Sequence, residues 1–85
     1  MTFYHSKNGV TISGNNATAD VDFDITKPEY TFMGTVGWVI NSGLTVGAVS
    51  CYPLSATSVR VRLMNHGLET VTTGSIYIYC LYLKK

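Results

Sequence analysis

"ATADVDFDI", residues 17–25, sets the reading of the whole chain. Val21, Phe23 and Ile25 alternate with Asp20, Asp22 and Asp24. A β-strand turns successive side chains to opposite faces, so this spacing predicts a half-buried strand with three carboxylates facing water. Residues 58–65, "SVRVRLMN", repeat the pattern, with Val59, Val61 and Leu63 opposed to Arg60, Arg62 and Met64. The outward aspartates and arginines are expected to meet across strands.

Outward from these two segments, the chain is punctuated by Asn8-Gly9, Gly14-Asn15-Asn16, Lys27-Pro28, Asn41-Ser42-Gly43, Pro53, Asn65-His66-Gly67 and Thr73-Gly74. Runs rich in Val, Ile, Thr, Tyr and Phe lie between them. Short strands separated by turn signals predict an all-β antiparallel sandwich of jelly-roll type, one domain over residues 1–85. The six main strands are placed at 9–13, 17–25, 30–41, 45–52, 58–65 and 75–84. Thr26-Lys27-Pro28-Glu29 has the form of a helix capping box. The run after it, "YTFMGTVGWVIN", holds two glycines and many β-branched residues, so a tight turn set by Pro28 is expected instead of a helix.

Two segments lack a polar side. Along 30–41, Tyr30, Phe32, Val36, Trp38 and Ile40 alternate with Thr31, Met33, Thr35 and Val39. In "SIYIYCLYLKK", residues 75–85, Ile76, Ile78, Cys80 and Tyr82 oppose Tyr77, Tyr79, Leu81 and Leu83. A strand apolar on both faces needs cover on both. One face goes to the core, and the other is expected to meet further copies of the chain, with Tyr77, Tyr79, Leu81 and Leu83 as the oligomer interface. The C-terminal strand is also expected to present an open edge.

Composition supports association. Apolar residues make up 46% of the 85 and charged residues 13%, where about 25% charged is usual. So few charges cover so apolar a small chain poorly. Net charge is +1 and the six basic residues form no concentrated patch, which argues against nucleic acid as a partner. The longest apolar run is far short of a spanning helix. The N-terminal "MTFYHSKNG" has neither the basic start nor the apolar stretch of a signal peptide. Cys51 and Cys80 sit in strand-like contexts without metal or redox spacing, and two reduced thiols are expected.

Chemistry-bearing patterns are sparse. Asp20, Asp22 and Asp24 begin like a calcium loop, but Ile25 and Thr31 stand where its glycine and glutamate belong. His5 and His66 have no metal-ligand spacing, and no nucleophile elbow or phosphate loop occurs. No metal, cofactor or catalytic residue is assigned. Aromatics make up 12%, and ring faces beside Asn, Asp and Arg suit saccharides as well as packing. If a ligand site exists, turns carry recognition on a rigid scaffold. That points to Trp38, Asn41, Tyr52, Asn65 and His66.

Three stretches, "KPEYTFMGTVGWVINSG", "VRVRLMNHG" and "TGSIYIYCLYLKK", resemble the small C-terminal β-domains of tail-fibre and appendage proteins from phages and prophages of Gram-positive bacteria. The likeness covers roughly residues 21–85. It implies a homotrimeric β-sandwich at a fibre tip on the virion, non-enzymatic, receptor-binding and commonly meeting a cell-wall saccharide. It implies equally a structural cap without ligand, whereas a small cell-wall glycan hydrolase would be a reading of another class. The histidine-bound metal of some fibre tips is not implied, because this chain has no HxH motif.

Overall fold

The computed structural model describes Met1–Lys85 and contains eight β-strands and no helix. These are β1 (Thr2–Lys7), β2 (Thr11–Ile12), β3 (Ala17–Asp24), β4 (Tyr30–Ile40), β5 (Val46–Ser55), β6 (Ser58–Asn65), β7 (Val71–Thr72) and β8 (Ile76–Lys84). All pairings are antiparallel. One sheet has the order β1-β8-β4, another β3-β6-β5, and β2 pairs with β7 in a short ribbon.

The two three-stranded sheets enclose a single core. Val21, Phe23, Val59, Val61 and Leu63 fill it from the β3-β6-β5 sheet, and Ile76, Ile78, Cys80 and Tyr82 from the other. Every one of these is at most 5% exposed, so the period-two expectation for residues 17–25, 58–65 and 75–84 is met side chain by side chain. Only 14 of the 85 residues are buried. A core this thin leaves much of the apolar content outside it.

The N-terminal segment departs from expectation. The sequence pattern predicts no strand before residue 9, yet β1 pairs along its length with β8, from Thr2 opposite Leu81 to Lys7 opposite Ile76. Its alternation is hidden in sequence because one inward position is a histidine. Phe3 and His5 face the core, and Tyr4 faces out. As a result β8 is the central strand of its sheet, not an edge, and both rows of its backbone hydrogen-bonding groups are engaged.

Two bulges exchange Thr35 and Val36 on β4 and leave Tyr30, Phe32, Trp38 and Ile40 on the expected face. Met33 is an extra residue between the Phe32–Tyr82 and Gly34–Leu81 pairs, and Val36 another between Thr35–Cys80 and Gly37–Tyr79. Each insertion moves the strand by one residue and exchanges its faces. The inward set is therefore Tyr30, Phe32, Thr35, Trp38 and Ile40, with Val36 pushed out to 61% exposure. Edge strand β5 is irregular in the same way at Val49 and Leu54, and carries Pro53, which an edge tolerates because its missing N–H need not face a neighbour. The segment before β4 is the expected tight turn, closed by Tyr30 N–H donating to Lys27 O at 2.9 Å with Pro28 as its second residue.

Tyr82 organises one end of the core. Its hydroxyl donates to Ile25 O at 2.7 Å, so the 2.7 Å contact with His5 Nε2 must have the imidazole as donor. Phe3, Tyr30 and Phe32 pack edge-on around its ring, at centroid distances of 5.5, 6.3 and 5.7 Å. Burial pushes the phenol from 10.0 up to about 12. A raised acid favours the fold while protonated, so stability present below pH 10 is lost as pH rises through about 12. Tyr82→Phe should cost about 1–3 kcal/mol at neutral pH, having stranded Ile25 O. It should also lose less stability than the parent on going to high pH. Urea denaturation at pH 8 and in the alkaline range checks both.

Candidate functional surfaces

The two outer faces differ in kind. On the β3-β6-β5 sheet, Asp20 lies opposite Arg62 and Asp22 opposite Arg60. Both arginines are bidentate: Arg60 reaches Asp22 at 2.8 and 3.0 Å, and Arg62 reaches Asp20 at 2.9 and 3.3 Å. These guanidiniums hold both carboxyls below their usual range. Asp24 is lowered mainly by the Thr26 backbone N–H it accepts at 2.9 Å. The triplet that resembled a calcium loop is thus a solvated ion-pair ladder and a turn cap. No group of three His, Cys, Asp or Glu side chains is placed to hold a metal ion.

The outer face of the β1-β8-β4 sheet carries no charged residue. Tyr77, Tyr79, Leu81 and Leu83 line β8. Their cross-strand neighbours are Thr2, Tyr4 and Ser6 on β1, and Thr31, Gly34, Gly37 and Val39 on β4. Tyr4 is 63% exposed and Leu83 56%, with Tyr79 and Leu81 also exposed and Tyr77 half-buried. Tyr4 packs on Tyr77 and Tyr79 at 5.8 and 6.4 Å, so the apolar surface is continuous. A contiguous run of exposed rings and leucines without a charge is the kind of surface that other molecules cover.

Two glycines shape that face. Gly34 takes φ 146°, a conformation that favours glycine. Gly37 has no left-handed φ, and a Cβ there would meet nothing within 4 Å. Neither sterics nor backbone geometry requires glycine at 37. Its effect is to leave the flank of Tyr79 bare, where another backbone could approach closely.

The five candidate ligand residues do not form one site. Asn41, Asn65 and His66 come together at the end of the sandwich where β4 and β6 finish and β5 begins, with Trp38 just inside that end on edge strand β4. Tyr52 is remote, on the charged face opposite Arg60. Trp38 faces inward opposite Ile78 but is 48% exposed, because nothing flanks its strand. Asn65 is fully buried. Its Oδ1 accepts from Thr45 Oγ1 at 2.7 Å and from Gly67 N–H at 3.0 Å. Its Nδ2 donates to Ile12 O at 3.0 Å and Glu69 O at 2.8 Å. All four of its bonding positions are filled by the chain, so Asn65 clamps the loops and has nothing to offer a ligand.

A depression at the opposite end had no signal in the sequence reading. It has a volume of about 550 Å³ and is lined by Phe3, Thr26, Lys27, Pro28, Glu29 and Tyr30. Phe3 comes from the unexpected β1, Thr26 to Glu29 from the β3–β4 turn and Tyr30 from the start of β4, and only the sheet pairing brings β1 to that turn. Cys51 and Cys80 are free thiols, and burial pushes Cys80 up from its ordinary value. No helix is long and apolar enough to cross a membrane. No family model, curated protein or solved structure matches the chain.

Asn65→Ala should lower stability by about 2–4 kcal/mol, since it strands two carbonyls and two donors at once. His66→Ala, one residue away and exposed, should be near neutral. Denaturant midpoints of the two variants against the parent check the contrast.

Proposed function

We propose that this chain is a self-assembling tip module of a phage-type tail fibre or surface appendage, homotrimeric and non-catalytic, that adheres to saccharide on a bacterial surface. The observation that carries the assembly reading is the uncharged outer face of the β1-β8-β4 sheet. Ion pairs dress one side of the sandwich while rings and leucines line the other. Burying each large side chain stabilises by roughly 1.5–3 kcal/mol, and closed rotational symmetry lets one patch serve every copy. Gly37 supports close approach there, and the edge of β4 extends the apolar surface through Met33 and Val36. The 46 Å length against widths of 20 and 16 Å suits parallel packing about an axis. Nested pairing of β1 with β8, β2 with β7 and β3 with β6 supports a jelly-roll reading.

The phage setting, the virion location and the three-fold order rest on the resemblance of residues 21–85 to fibre-tip domains. A cap that only assembles is the second reading, favoured by the same face and needing no ligand. Binding to whole Gram-positive cells or their purified wall polysaccharide separates the two.

Sedimentation equilibrium at micromolar concentration should give a species about three times 9.3 kDa. Tyr79→Asp and Leu81→Asp should return it to monomer while leaving the circular dichroism of a β-protein intact, because both side chains lie outside the core. Gly37→Val should be tolerated by an isolated sandwich and should weaken assembly at least tenfold. A clean monomer for the parent chain would overturn the assembly reading.

A further inference from the structure

Of the six basic residues, Arg60 and Arg62 are held by aspartates. Lys27 is different. It is half-buried, its ammonium stands 4.5 Å from the centre of the Phe3 ring, and no carboxylate lies within salt-bridge distance of it. A lysine ammonium with free donors beside an apolar wall is a receptor for an anion. Phe3 meets Tyr30 edge-on at 5.1 Å, and both rings rest on the buried Tyr82. The aromatic floor of the depression is therefore fixed before any ligand arrives, which lowers the entropic cost of binding. Lys84 is the cross-strand partner of Tyr30 but does not line the depression, so Lys27 is its one cation. Glu29, on the rim, makes no hydrogen bond through its carboxylate and can accept from hydroxyls.

We infer that this depression is the seat for one residue of an acidic saccharide, its ring lying against Tyr30 and its carboxylate meeting the Lys27 ammonium that stands over Phe3. The inference rests on the saccharide-adhesion reading above and gives it a place and a charge. A volume of about 550 Å³ falls within the range of small-molecule sites and holds a single pyranose with room for its linkage. The opposite, Asn65-clamped end has no comparable hollow, and its buried amide is fully engaged. Lys7 lies at that far end, opposite Ile76, and takes no part.

The test is residue-resolved NMR titration of the intact chain with methyl glucuronide and, in parallel, methyl glucoside. Backbone amides of Phe3, Lys27, Glu29 and Tyr30 should move with the glucuronide and respond less to the neutral glycoside. Lys27→Gln should lower affinity for the glucuronide about fivefold and remove the preference for the acid, whereas Lys7→Gln should change neither. Shifts confined to Trp38, Asn41 and His66, or equal response to both glycosides, would overturn the inference. Wall-polysaccharide binding by the parent and by Lys27→Gln separates the two levels of claim. Equal binding by both sinks the seat but leaves adhesion standing, and no binding by the parent sinks adhesion and the seat together.

Discussion

β8 has neighbours on both edges and apolar side chains on both faces, and the rest of the molecule is arranged around meeting those four demands. Its edges are closed by β1 and β4, strands from the N-terminal and central parts of the chain. Its inner row, Ile76, Ile78, Cys80 and Tyr82, is fully buried against the β3-β6-β5 sheet. Pairing settles the backbone groups, and the sandwich settles one face. The fourth demand, cover for Tyr77, Tyr79, Leu81 and Leu83, is not met within one chain.

The sandwich is consequently asymmetric. Its other outer face holds bidentate Asp–Arg pairs whose exposure makes them weak contributors to stability, though effective in keeping that side solvated. They also set register, because a one-residue slip of β3 against β6 would turn carboxylates into the core. The bulges at Met33, Val36, Val49 and Leu54 break the regularity of both edge strands on the same flank. Such irregularity discourages edge-to-edge strand addition. On that flank the sandwich therefore offers a face to its surroundings rather than a regular strand edge.

The two ends of the sandwich are stiffened by different chemistry. At one, the Asn65 amide satisfies loop groups from four places in the chain. At the other, Tyr82 ties β1 and the β3–β4 turn to the core through His5 and Ile25. The turn residues chosen from sequence collected at the first end because Asn, His and Gly clusters announce turns. The aromatic depression gathered at the second because Phe3 stands 24 residues before Lys27 and 27 before Tyr30, on a strand separated from β4 by β8, and no local pattern links it to that turn. Asn65 shows the converse failure: its place in a turn motif suggested exposure, and burial behind three loops reversed it.

What the amino-acid order determined by itself is the all-β character, the inward rows of β3, β6 and β8, the Asp–Arg ladder and the turn at Pro28. Each follows from period-two alternation or from the local stereochemistry of one residue, and both are written into neighbouring positions. What only the tertiary structure decided is the capture of the N-terminus as β1, the central position of β8, the exchange of Thr35 for Val36 on the inner face of β4 and the burial of Asn65. Those depend on which strands lie side by side and where a bulge inserts one residue. Such pairings join positions up to about eighty residues apart, and the energy that selects among them comes from burying side chains together, which no single segment can display.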